Sequence, residues 1–112
     1  MRIDQQGAII FEITPLNLDA PTTDALEFDV ALTTHSIDLS MDLAKLSTLT
    51  TDTGVSIESS LWEAPLGGHH VEGKLIFPAT KDGKSILEGA MKLTLTIINV
   101  DVPSRIFEWK LK

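Results

Sequence analysis

Leu26-Glu27-Phe28-Asp29-Val30-Ala31-Leu32-Thr33 decides the fold. Leu26, Phe28, Val30 and Leu32 fall on every second residue, while Glu27, Asp29 and Thr33 occupy positions between them. Successive side chains on a strand point to opposite faces, so this pattern sets an apolar face against a wet one. The segment reads as an antiparallel strand half in a core and half in water.

The same period recurs outward in both directions. Ile9, Phe11 and Ile13 alternate with Ile10, Glu12 and Thr14 until Pro15, which has no N–H to continue a ladder. Residues 17–24 are rich in Asp, Pro and Thr and read as a loop. Beyond 26–33, Ile37, Leu39, Met41 and Leu43 alternate with Asp38, Ser40 and Asp42, which predicts another strand, with a single helical turn over 42–46 as the alternative. Asp52-Thr53-Gly54 separates two further runs and suits a hairpin, because glycine accepts positive φ. Ala64-Pro65-Leu66-Gly67-Gly68 is a loop, and Lys81-Asp82-Gly83-Lys84 and Val102-Pro103-Ser104 are turns. Between and after them, Val71, Gly73, Leu75 and Phe77, then Met91, Leu93, Leu95 and Ile97, then Phe107, Trp109 and Leu111 each keep the period of two. Seven or eight short strands with no long helix predict an all-β, antiparallel two-sheet sandwich of immunoglobulin-like type, with a small barrel as the alternative.

Length and composition narrow the function. The 112 residues suit one sandwich domain over 1–112, with 1–7 as a loose N-terminal segment. There is no cysteine. Disulfide scaffolds, thiol catalysis, iron–sulfur clusters and thiolate-bound zinc or blue copper are therefore excluded. No apolar run reaches the roughly 20 residues of a membrane-spanning helix, and the polar start has no signal-peptide core. Residues 1–72 carry twelve acidic and two basic side chains, whereas 73–112 carry four acidic and seven basic. With a net charge of −7, the chain lacks the dense basic surface that nucleic-acid binding needs.

The remaining chemistry centres on three histidines. His35 follows the strand over 26–33, and His69 and His70 follow Gly67-Gly68. With Asp38 and Glu72 as the nearest carboxylates, they form a candidate nitrogen and oxygen ligand set for copper or zinc. Neighbours on a strand diverge, so His69 and His70 do not share a face. His70 is expected beside Glu72 in solvent. His69 is expected on the Val71 and Leu75 face, partly buried. The alternative role for these histidines is to fix two loops by hydrogen bonds.

Catalytic sets are scarce. Ser36 beside His35 makes no dyad, and no nucleophile-elbow motif is present. Asp38 and Asp42 lie about 13 Å apart if the strand is extended, too far for a glycosidase pair. Trp109 is expected in the core with Phe107 and Leu111, and Trp62 borders the Gly-Gly loop. Arg105 is expected to pair with an acidic group such as Asp101 or to fix the last turn.

Over 26–111, about three quarters of the chain, the sequence resembles a family of small prokaryotic β-sandwich domains often found behind a signal peptide or lipid anchor. The matching pieces are Thr34-His35-Ser36-Ile37-Asp38-Leu39, Asp52-Thr53-Gly54, Trp62, Gly67-Gly68-His69-His70, the Gly73 strand, and Val102-Pro103-Ser104-Arg105-Ile106-Phe107-Glu108-Trp109. The resemblance implies the sandwich and an extracytoplasmic address. The expected function is a non-catalytic binding or accessory module with a protein partner. A histidine-based copper or zinc domain is the alternative, and a hydrolase a minor one. Sandwich edges are open to added strands, and Glu27 and Asp29 read as guards against such pairing.

Overall fold

The alternating runs become strands where each finds a partner and turns one face inward. A computed structural model describes residues 1–18, 25–65 and 67–111. In chain order the strands are β1 (Arg2–Asp4), β2 (Ile9–Pro15), β3 (Ala25–Thr34), β4 (Ser47–Thr51), β5 (Ser56–Glu58), β6 (Leu61–Glu63), β7 (His70–Pro78), β8 (Thr80–Lys81), β9 (Lys84–Ser85), β10 (Lys92–Ile98) and β11 (Ser104–Lys110). Among the described residues they form one sheet in the order β1-β2-β3-β7-β6, a second in the order β11-β10-β4-β5, and the small hairpin β8-β9. All pairings are antiparallel.

Setting aside β1, the order β2-β3-β7-β6 opposite β11-β10-β4-β5 is the A-B-E-D and G-F-C-C′ arrangement of an immunoglobulin-like sandwich. The eight strands of that frame match the expected number. The short β8-β9 hairpin occupies the Lys81-Asp82-Gly83-Lys84 turn, whose central residues have φ of 55° and 80°. Two positive φ values match the twist of paired strands, which is why Asp-Gly serves there.

The strand that sets the pattern, β3, is central, with β2 on one side and β7 on the other. Leu26, Phe28, Val30 and Leu32 are all buried. Phe28 meets Phe77 edge-on at 5.7 Å and Trp109 at 5.4 Å, and Phe107 stacks on Trp109. Trp62 is buried too, so both tryptophans belong to the core. Because β3 is central, Glu27 and Asp29 guard no edge. They face outward, and Glu27 Oε1 lies 3.6 Å from Lys74 Nζ.

Three further expectations about the frame change. The strand predicted over 37–43 is absent: 35–42 is irregular, and Leu43–Lys45 forms a 3-10 turn. The chain crosses there from one sheet to the other, and Leu39 directs its backbone bonds to Gly67 and Gly68 instead of to a ladder. Leu39 and Leu43 are still buried, so the alternation records burial without a partner strand. Asp38 and Asp42 consequently share no strand face; Asp42 caps the turn by accepting from the Ala44 N–H.

Second, the segment 1–7 holds β1, which pairs with β2 from Arg2↔Ile13 to Asp4↔Phe11. Third, Arg105 is fully buried. Its guanidinium donates to the Val100 and Ile9 carbonyls, lies 4.5 Å from the Phe11 ring centroid, and has Asp4 Oδ1 3.6 Å away. The Val100 bonds fix the last turn as expected, but the paired carboxylate is Asp4. Burial pulls the Arg105 pKa down, while the charges of Asp4 and Asp101 oppose that shift. An arginine stays protonated regardless.

At the opposite end, Asp52 Oδ1 accepts the Met91 N–H at 2.9 Å, which holds the carboxyl below the ordinary aspartate range. A carboxylate with a lowered folded pKa stabilises above the ordinary range and loses that contribution as pH falls through its folded value. Asp52→Ala is therefore expected to lower the unfolding midpoint at neutral pH, with the difference shrinking as pH falls through the lowered folded value. Thermal melts of both proteins across pH check this; an equal loss at both ends of the range would contradict it.

Candidate functional site: the histidine loop end

Strand register brings the two histidine-bearing stretches to one end of one sheet. Thr33 of β3 stands opposite His70 of β7, and the Thr34 N–H donates to the His69 carbonyl at 2.9 Å. His35 is the next residue along β3's path, so the two distant stretches meet at one end of one sheet. The connections 5–8, 35–42 and 99–103, with residues 64–65 and 67–69, gather at this end. In an immunoglobulin-like frame it is the end of the B–C, D–E and F–G loops.

Hydrogen bonds brace these loops against one another. The Leu39 N–H donates to the Gly68 carbonyl at 3.0 Å, and the Leu39 carbonyl accepts from Gly67 N–H at 2.9 Å. Asp38 Oδ1 accepts the Gly68 N–H at 2.8 Å. Across the sandwich, Asp101 Oδ2 accepts the Ala8 N–H at 2.6 Å. Asp101 and Asn99 both have left-handed φ, 63° and 58°, a conformation Asn and Asp tolerate better than most residues.

Each predicted site residue has a defined place. His35 is exposed and lines a shallow cleft of about 450 Å³ with Gly7, Ala8, Ile10, Thr33 and Ser36. His69 is exposed, not partly buried: it precedes β7 and sits in the glycine turn, so strand parity does not govern it. His70 is exposed as expected, with Nε2 3.0 Å from Glu72 Oε1. Its Nδ1 lies 3.0 Å from Thr33 Oγ1. Asp38 serves as the brace on Gly68. Among the described residues, no group of three or more His, Asp or Glu is placed to hold a metal ion.

Sequence reasoning missed Thr33 as the partner of His70 and gave Asp101 another role, as a partner of Arg105. Thr33 is found only through the β3–β7 register. Asp101 carries a local signal, an Asp two residues before a proline in a turn. The hydroxyl–imidazole–carboxylate chain of Thr33, His70 and Glu72 has the order of a nucleophile, base and acid. It lies on an open sheet face, however, where its bonds join two strands and orient His70 toward solvent.

No helix among the described residues is long and apolar enough to cross a membrane. No protein-family model and no curated protein matches the chain. Its fold is similar to that of a crystallised DUF4426 family protein from Pseudomonas aeruginosa PAO1, with a TM-score of 0.56 and 9% identity over 99% of this chain and 94% of that one.

Proposed function

We propose that this chain is a non-catalytic immunoglobulin-like binding module of the cell envelope that engages a protein partner through the loop end carrying His35 and His69. One observation carries the reading: loops from both ends of the chain are cross-braced there through Asp38–Gly68, Leu39–Gly67 and Gly68, and Asp101–Ala8. Loops fixed before contact spare a partner the entropy of ordering them, which is how a small exposed surface gains affinity. The envelope address rests on the family resemblance of the loop and strand motifs.

The test is capture from envelope extract of the producing cell, with the intact chain and a His35→Ala/His69→Ser double variant as baits. Both side chains are exposed and no braces run through them, so the variant is expected to melt at the parent temperature. Capture by the variant is expected to fall about tenfold or more, the size of a recognition-centre loss. Equal capture by both baits would place the contact elsewhere on the sandwich. No captured protein would overturn the reading.

A further inference from the structure

We propose a second site at the opposite end of the sandwich: a cleft beside Trp109 that takes a fatty carboxylate, an aliphatic tail with an anionic head. The cleft, about 360 Å³, lies where β2 and β11 end and is lined by Leu16, Asn17, Leu18, Trp109, Lys110 and Leu111. That volume falls within the range of small-ligand pockets. Its lining is mixed: Pro15, three leucines and Trp109 supply the apolar half, and Leu16 is 48% exposed.

Two further observations point to the head group. Trp109 is only 8% exposed, yet its indole Nε1–H has no hydrogen-bond partner. A buried donor without a partner costs free energy, so an acceptor reaching it gains more than an ordinary hydrogen bond. Lys110 stands opposite Lys92 in register, and Lys92 already pairs with Glu108 at 3.3 Å. Lys110 has no carboxylate partner among the described residues, so its charge is available to an anion.

The cleft is also held in shape. Asn17 Nδ2 donates to the Ala25 carbonyl and Asn17 Oδ1 accepts the Glu27 N–H, both at 3.0 Å. The Leu16 N–H donates to the Glu27 carbonyl and the Leu111 N–H to the Met91 carbonyl. Backbone on both walls is thus tied down, while Leu18 and Leu111 are only partly buried where they pack against the core. In the proposed complex these two side chains shift and the carboxylate meets the shielded indole N–H. The tail then lies along the three leucines.

Sodium octanoate titration, followed by the two tryptophan indole N–H resonances of the intact chain, tests this site. The expected result is a saturable downfield shift of the Trp109 signal with Trp62 unmoved, and octanol, which lacks the charge, binding more weakly. Lys110→Glu is expected to weaken octanoate binding about fivefold or more. No saturable shift, equal movement of both indoles, or unchanged affinity in Lys110→Glu would overturn the proposal. The site is independent of the histidine loops, so its failure leaves the partner reading intact.

Discussion

Arg105→Ala is expected to destabilise the domain by about 4 kcal/mol, because it removes one partner of a buried charge pair and opens a cavity at once. Arg105 is completely buried on β11, on the same side as Phe107 and Trp109. Its removal leaves the Val100 and Ile9 carbonyls without their donor and Asp4 without its cation. The ring contact with Phe11 is lost as well. Urea denaturation measures the effect, which would reach only about 1 kcal/mol if the guanidinium were merely a surface pair. Arg105→Met fills more of the volume and is expected to cost less than alanine. Asp4→Asn separates the charge from the packing: a double-mutant cycle between positions 4 and 105 is expected to show coupling of about 1 kcal/mol or more. That coupling has a structural meaning. Through Asp4, and through Arg2 Nε donating to the Glu108 carbonyl, β1 fastens β2's sheet to the free edge of β11. The N-terminal segment is thereby part of the sandwich.

Arg105 also shows what strand periodicity conveys. In Arg105-Ile106-Phe107-Glu108-Trp109, parity alone puts Arg105 inward and Ile106 outward, and the structure agrees: Ile106 is 59% exposed. Reading residue type over parity favours the opposite, since arginine is rarely buried unless paired. The pairing comes from Asp4, about a hundred residues away, and no local pattern announces it. The 37–43 segment errs in the other direction. Its alternation is genuine in burial, but a strand also needs a neighbour in register, and Leu39 finds a glycine loop instead. The histidine site follows the same logic. His70 beside Glu72 is legible from a two-residue spacing within one strand. Thr33 beside His70, and Thr34 beside His69, depend on how β3 pairs with β7, which local sequence does not encode.

Gly73→Ala is expected to cost about 3 kcal/mol, the upper range for forcing volume into packed space. Gly73 lies inside β7 opposite Val30, and its φ is not positive, so its need for glycine is one of space. A Cβ there would come within 2.5 Å of the Glu63 carbonyl oxygen and closer still to the Ala64 Cβ. One obstacle is backbone, which cannot rotate away as a flexible side chain would. Gly54→Ala makes the contrast: open space surrounds Gly54, whose φ is 95°, so only the conformational penalty of about 1 kcal/mol remains. Adding Ala64→Gly to Gly73→Ala removes the methyl contact but leaves the carbonyl, so about half the loss is expected to return. Equal stability of Gly73→Ala and the parent would mean that β6 and β7 do not approach so closely. The consequence extends to the loop end, because residues 63 and 64 begin the connection that carries Gly67, Gly68 and His69. If Gly73→Ala displaces that connection, the Asp38–Gly68 brace loosens with it. Amide exchange at Gly68 and Leu39 is then expected to accelerate in Gly73→Ala beyond what the stability loss alone accounts for. Exchange that merely tracks global unfolding would show that the loops are braced independently of the strand beneath them.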